Sequence, residues 1–97
     1  MSGIHIPDSV TFIGPNAFEG CQYLTVVKMS SSSLESIQSG TFSGCGNLSI
    51  VQLPEGLKSI GKHAFKDCGS LKNVYIPSSV TSVAEDAFLN CPASNQE

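Results

Sequence analysis

Apolar side chains return along this chain at one long, nearly constant interval. Phe18, Phe42, Phe65 and Phe88 are separated by 24, 23 and 23 residues, and Cys21, Cys45, Cys68 and Cys91 keep the same spacings. Five more columns run in step with them. They are Ile13, Ile37, Ile60 and Val83; Val10, Leu34, Leu57 and Val80; Leu24, Leu48 and Leu71; Ile4, Val27, Val51 and Val74; and Ile6, Met29, Leu53 and Ile76. Seven columns in common register mark a structural repeat. The one extra residue falls in SSSS at 30–33, where other units read Pro-Asp-Ser, Pro-Glu-Gly or Pro-Ser-Ser, and it predicts a one-residue bulge in a surface turn.

A unit of this length cannot cover its own apolar side chains. Stacked units can, because each column becomes a continuous file through the interior. LTVVKM, LSIVQL and LKNVYI have strand composition. In the first of these Val27 and Met29 alternate inward and leave Lys28 outward. Proline follows most of these segments and ends the strand, since it has no amide hydrogen for the ladder. SVTFI and GLKSI predict a second short extended piece. A-F-x-x-C places Phe and Cys three apart, on one face of a single helical turn. Gly44, Gly46 and Gly69 punctuate the return to the next strand.

The pattern resembles the BspA-like class of leucine-rich repeats found in surface proteins of bacteria and some protists. The resemblance is carried by Ile-Pro-Asp-Ser-Val-Thr at 6–11, Ile13-Gly14, Ala17-Phe18, Cys21 and Leu24, with their counterparts in later units. It covers residues 4–91, in units 4–26, 27–50, 51–73 and 74–91, followed by a polar tail at 92–97. It implies an α/β solenoid: a right-handed superhelix of about four 23-residue coils, a concave parallel β-sheet, and short helical turns on the convex side. Thr41 in place of Ala, Val83-Ala84 in place of Ile-Gly, Met29-Ser30 without Pro, and Ser94 where a fourth Leu belongs are the departures. The array is expected to stop at the polar tail. It is expected to start without a capping unit, which such open ends generally need.

Composition narrows the function classes. Charged residues make up 13% of the 97-residue chain and the net charge is −3. There is no basic cluster, so a nucleic-acid partner is not expected. No apolar run approaches the roughly 20 residues of a membrane helix, so membrane insertion is not expected either. The start MSGIHIPDSV has neither the basic nor the apolar region of a signal peptide.

The four cysteines invite a disulfide or zinc reading, but their spacing is the repeat itself. Stacked coils bring equivalent Cα atoms about 4.8 Å apart, inside the disulfide range. Their side chains point the same way, so the cysteines read as a file of reduced thiols acting as small apolar residues. No C-x-x-C is present and neither histidine falls in a column, so no metal or other cofactor is expected. His63 lies five residues before Cys68, but it occupies a variable surface position, and His5 and His63 both read as solvated. Asp8, Glu19, Glu35, Glu55, Asp67, Glu85 and Asp86 scatter over different unit positions, so no acid and base pair recurs. Asn47-Leu48-Ser49 matches a glycosylation sequon beside a strand.

What remains is a surface. The candidate binding residues are His5, Thr25, Lys28, Ser49, Gln52, Lys72, Asn73 and Tyr75, at variable outward strand positions. Four of them, His5, Lys28, Gln52 and Tyr75, form a row across all units. Val26 and Ile50 are apolar at nominally outward sites, and Phe12 replaces the usual Ser of its column. The absence of a catalytic constellation and the resemblance together point to a non-enzymatic recognition module. The resemblance implies an extracellular or cell-surface protein concerned with adhesion or partner recognition. Its partner would be another protein or extracellular macromolecule, with end-to-end self-association through the first coil. A structural spacer and an intracellular scaffold or inhibitor are the alternatives.

Overall fold

The structure, a computed structural model, describes residues 3–29 and 33–92. The bulge expected at 30–33 and the tail expected at 92–97 lie almost wholly outside the described residues.

Strand composition and the Pro stops yield, among the described residues, seven short strands: β1 (Gly3–Ile6), β2 (Val26–Met29), β3 (Ser36–Ile37), β4 (Ile50–Gln52), β5 (Ser59–Ile60), β6 (Asn73–Tyr75) and β7 (Ser82–Val83). They form two parallel sheets, one of four strands in the order β1-β2-β4-β6 and one of three in the order β3-β5-β7. Register follows the apolar columns. Ile4 pairs with Val27, Val27 with Val51, and Val51 with Val74, while Ile37 pairs with Ile60 and Ile60 with Val83. Between the sheets the chain turns at a proline. The carbonyls of Pro7, Pro54 and Pro77 accept hydrogen bonds from the amides of Val10, Leu57 and Val80 at 3.1, 3.2 and 3.0 Å.

The chain is a parallel-strand solenoid of about three complete turns, counted from β1 to β6. The expected four coils is a slight overstatement, since the last unit ends on its outer segment and the second sheet has three rungs.

The expected helical turns on the outer side are not helices. The described residues there form a run of linked turns in which alternate amides serve different purposes. The amides of Ala17, Glu19 and Cys21 bond back three residues within the coil, to Gly14, Asn16 and Phe18 carbonyls. The amides of Asn16, Phe18 and Gly20 instead cross to the next coil, reaching the carbonyls of Ser39, Thr41 and Ser43 at 3.1, 2.8 and 2.8 Å. The following coil repeats this from Gly40, Phe42 and Gly44 to Lys62, Ala64 and Lys66. An α-helix would spend all these amides inside its own coil, and the stack would lose one of its ladders. The corners need left-handed backbone. Gly20, Gly44, Asp67 and Asn90 share one column with φ of 74, 78, 61 and 59°. Asn16, Gly40 and His63 share another with φ of 59, 68 and 61°. Gly, Asn and Asp tolerate that region best.

The core is the set of predicted files. Phe18, Phe42, Phe65 and Phe88 stack with ring centroids 5.3, 5.3 and 5.2 Å apart and interplanar angles of 2, 7 and 6°. Phe42 and Phe65 are wholly buried, and the terminal rings Phe18 and Phe88 partly so. Thr41, buried where other units carry alanine, donates its hydroxyl to the Gln38 carbonyl at 2.9 Å. That contact offsets the cost of burying a polar group.

Candidate binding face of the four-stranded sheet

The strand register turns the variable positions into rows. His5 lies opposite Lys28, Lys28 opposite Gln52, and Gln52 opposite Tyr75. All four are exposed, and Tyr75 retains 69% of its surface. Beside this row runs another, Gly3, Val26, Ile50 and Asn73, also in register. The alternation along each strand explains the division. In β2, Val27 and Met29 are fully buried while Lys28 is exposed and Val26 half-buried. Val26 and Ile50 therefore do stand side by side on the outer face.

The other candidates sit at the rim. Thr25, Ser49 and Lys72 precede β2, β4 and β6 and are not strand residues. Ser49 and Lys72 are exposed and Thr25 is half-buried. The Ser49 amide donates to the Thr25 carbonyl at 2.9 Å, and its hydroxyl reaches the same oxygen at 3.3 Å. Asn73 takes its place in the sheet through its backbone.

The cysteine file is chemically quiet. None of the four cysteines is in a disulfide. Cys45 donates its thiol to the Phe18 carbonyl and Cys68 to the Phe42 carbonyl, both at 3.2 Å. Each thiol thus ties one coil to the one before it. Burial raises the Cys45 thiol, and it pushes the Cys68 thiol up to about 12, with Cys45 and Cys91 adding smaller repulsions. A thiol held neutral in this way is a poor nucleophile. His63 does not approach it as a base; its Nε2 lies 3.9 Å from Asp86, and both side chains are partly exposed. Asn47 is exposed, and its side-chain amide donates to the Gln22 carbonyl at 2.7 Å. The sequon asparagine therefore already ties two coils together.

Sequence reasoning missed two clefts at the ends of the stack, the first largely apolar and the second of mixed polarity. One, of about 470 Å³, is lined by Ile4, Phe18, Cys21, Tyr23 and Leu24 among others. The other, of about 400 Å³, is lined by Val83, Phe88 and Leu89 together with Glu85, Asp86 and Asn90. The signal was the repeat itself, because among the described residues Phe18 stacks on Phe42 alone and Phe88 on Phe65 alone.

Comparison with known proteins adds the decisive observation. The signature of the BspA type leucine rich repeat region matches residues 1–96 in six copies. The chain belongs to this family. Solved leucine-rich repeat proteins are built alike. That of T. pallidum is 32% identical with a TM-score of 0.82, over 89% of this chain and 42% of its own. A leucine rich cell surface protein of Faecalibacterium prausnitzii A2-165 is 33% identical with a TM-score of 0.73, over 96% of this chain and 30% of its own. A leucine-rich repeat protein of Bacteroides ovatus ATCC 8483 is 32% identical with a TM-score of 0.65, over 90% and 30%. The BspA-type chain thus spans less than half the length of each of these. No curated protein matches it.

Proposed function

We propose that this repeat array is a non-catalytic recognition module of a secreted or cell-surface protein, with a role in adhesion or partner recognition. It offers the outward face of its four-stranded sheet to another protein or extracellular macromolecule. The observation that carries this reading is the row His5, Lys28, Gln52 and Tyr75, in which four exposed, unlike side chains stand in strict register on a repeating frame of buried ones. One aromatic among polar neighbours is the kind of anchor that interfaces favour. The F. prausnitzii relative's description as a cell surface protein supports the location. Cysteines without a disulfide also suit the rival reading, an intracellular scaffold or inhibitor. In thiol counting on protein from its native source, any bridge would favour the exterior.

The test is a panel of purified extracellular-matrix and surface proteins probed with the chain and with its Lys28→Ala/Tyr75→Ala variant. Binding lost in the double variant, at unchanged melting temperature, is the expected result. Binding indifferent to the double variant contradicts the assignment of this face, and no binding at all favours a spacer. The reading extends to end-to-end association, since among the described residues β1 pairs with β2 alone and open strand edges recruit partners. A sedimentation coefficient independent of concentration counts against that extension.

A further inference from the structure

The sheet face differs in charge from the rest of the molecule. The chain as a whole carries −3. Yet the described positions that face outward on β1, β2, β4 and β6, or lead into them, include Lys28 and Lys72 and not one carboxylate. The acids lie elsewhere. Asp8 and Glu55 stand in the turns that leave the sheet, Glu35 precedes β3, and Glu19, Asp67, Glu85 and Asp86 belong to the outer turns. Among the described residues, neither lysine is paired with a carboxylate.

The two lysines are also placed in a definite geometry. Lys28 is on β2, Ile50 is on the neighbouring β4, and Lys72 directly precedes the next strand, β6. Ile50 is opposite Val26 on one side and Asn73 on the other. It therefore sits between the lysines on a diagonal, two residues back along the strand from Lys28 and one residue ahead of Lys72. With strands about 4.8 Å apart and a rise of about 3.3 Å per residue, the two lysine Cα atoms are roughly 14 Å apart. Ile50 falls near the middle and keeps 54% of its surface exposed. The Cα positions read cation, apolar, cation along this diagonal, with Lys72 exposed at the rim ahead of β6. In an extended peptide, side chains i, i+2 and i+4 share one face and span about 13 Å.

We propose that this face takes an extended acidic polypeptide segment of the pattern carboxylate-x-apolar-x-carboxylate. The two carboxylates would meet Lys28 and Lys72, and the apolar side chain would meet Ile50 and Val26. This inference rests on the proposed function and names the partner's chemistry. The apolar centre is what selects a polypeptide over an acidic polysaccharide, which has no aliphatic side chain to place there.

The probe is a fluorescein-labelled peptide, Gly-Ser-Glu-Ser-Leu-Ser-Glu-Ser-Gly, titrated with the full chain and read by fluorescence polarisation. Comparators carry Lys for both Glu, or Ser for Leu, and polygalacturonate serves as the polysaccharide. The acidic peptide is expected to bind most tightly, and more weakly as salt is raised. The Lys28→Glu/Lys72→Glu variant should weaken it by roughly tenfold and gain affinity for the basic comparator. Ile50→Ser should weaken the acidic peptide and leave the Ser-for-Leu peptide unchanged. The proposal is overturned if no peptide binds, if the basic or Ser-for-Leu peptide binds wild type as well, or if polygalacturonate binds equally and ignores Ile50→Ser. Amide shift mapping tells its failure from failure of the functional reading. A protein ligand that perturbs residues 25–28, 49–52 and 72–75 but ignores the charge reversal sinks the acidic chemistry alone. One that perturbs other residues sinks both.

Discussion

At the phenylalanine file every coil carries the same side chain, whereas the row His5, Lys28, Gln52 and Tyr75 never repeats one. Both run the length of the stack, one rung per coil. Within the file Phe42 and Phe65 are closed on both sides by copies of themselves, so its members are constrained by each other: at Phe42 a ring of any other shape would break the 5.3 Å stacking above and below. The row is open to solvent and its members meet no such condition. A repeat protein of this type thus separates the residues that set its period from those that can vary without disturbing it. The cysteine file belongs with the first group, since each buried thiol bonds to the coil before it.

The largest effect should come from breaking the file. Phe42→Ala removes a fully buried ring stacked on both faces and should cost about 3–5 kcal/mol, measured by denaturant unfolding. A loss no greater than a surface substitution would mean that the file does not hold the coils together. A middle-sized effect should appear at alkaline pH. In the folded chain the Cys68 thiol stays neutral up to about 12, against an ordinary value of 9.0. The unfolded chain gives up that proton first. The contribution is therefore fully present below about pH 9 and lost as pH rises from there toward about 12. Melting temperature against pH, compared with Cys68→Ala, isolates this step, and parallel curves would refute it. The smallest effect belongs to the row. Lys28→Ala/Tyr75→Ala should change stability by no more than about 0.5 kcal/mol. A larger loss would show that the row is part of the framework after all.

Much of this was legible in the sequence, and the columns show why. Register between strands was read directly, since Val27, Val51 and Val74 must face the same interior and a slip of one residue would turn each outward. The row of four followed from that register. The outer segment was misread as a helical turn because A-F-x-x-C, with its i and i+3 spacing, is satisfied equally by a helix and by linked turns. The distinguishing signal was present in Gly20, Gly44, Asp67 and Asn90, a column of residues tolerant of positive φ, which a helix would not ask for. Thr25 was placed on the open face by its column, yet it precedes β2 and is half-buried. Column position gives the rung and not the orientation outside a strand. The lysine–isoleucine–lysine diagonal was out of reach for a related reason: it crosses three units obliquely, so no periodic pattern reveals it.

Native-state hydrogen exchange at the amides of Phe18, Phe42 and Phe65 tests most directly whether the outer turns bind each coil to the next. These amides donate across coils at 2.8, 2.8 and 2.7 Å. They should be strongly protected and, for Phe42 and Phe65, open only with global unfolding, while exposed turn amides exchange freely. Fast exchange at Phe42 and Phe65 in an otherwise folded chain would contradict the inter-coil ladder.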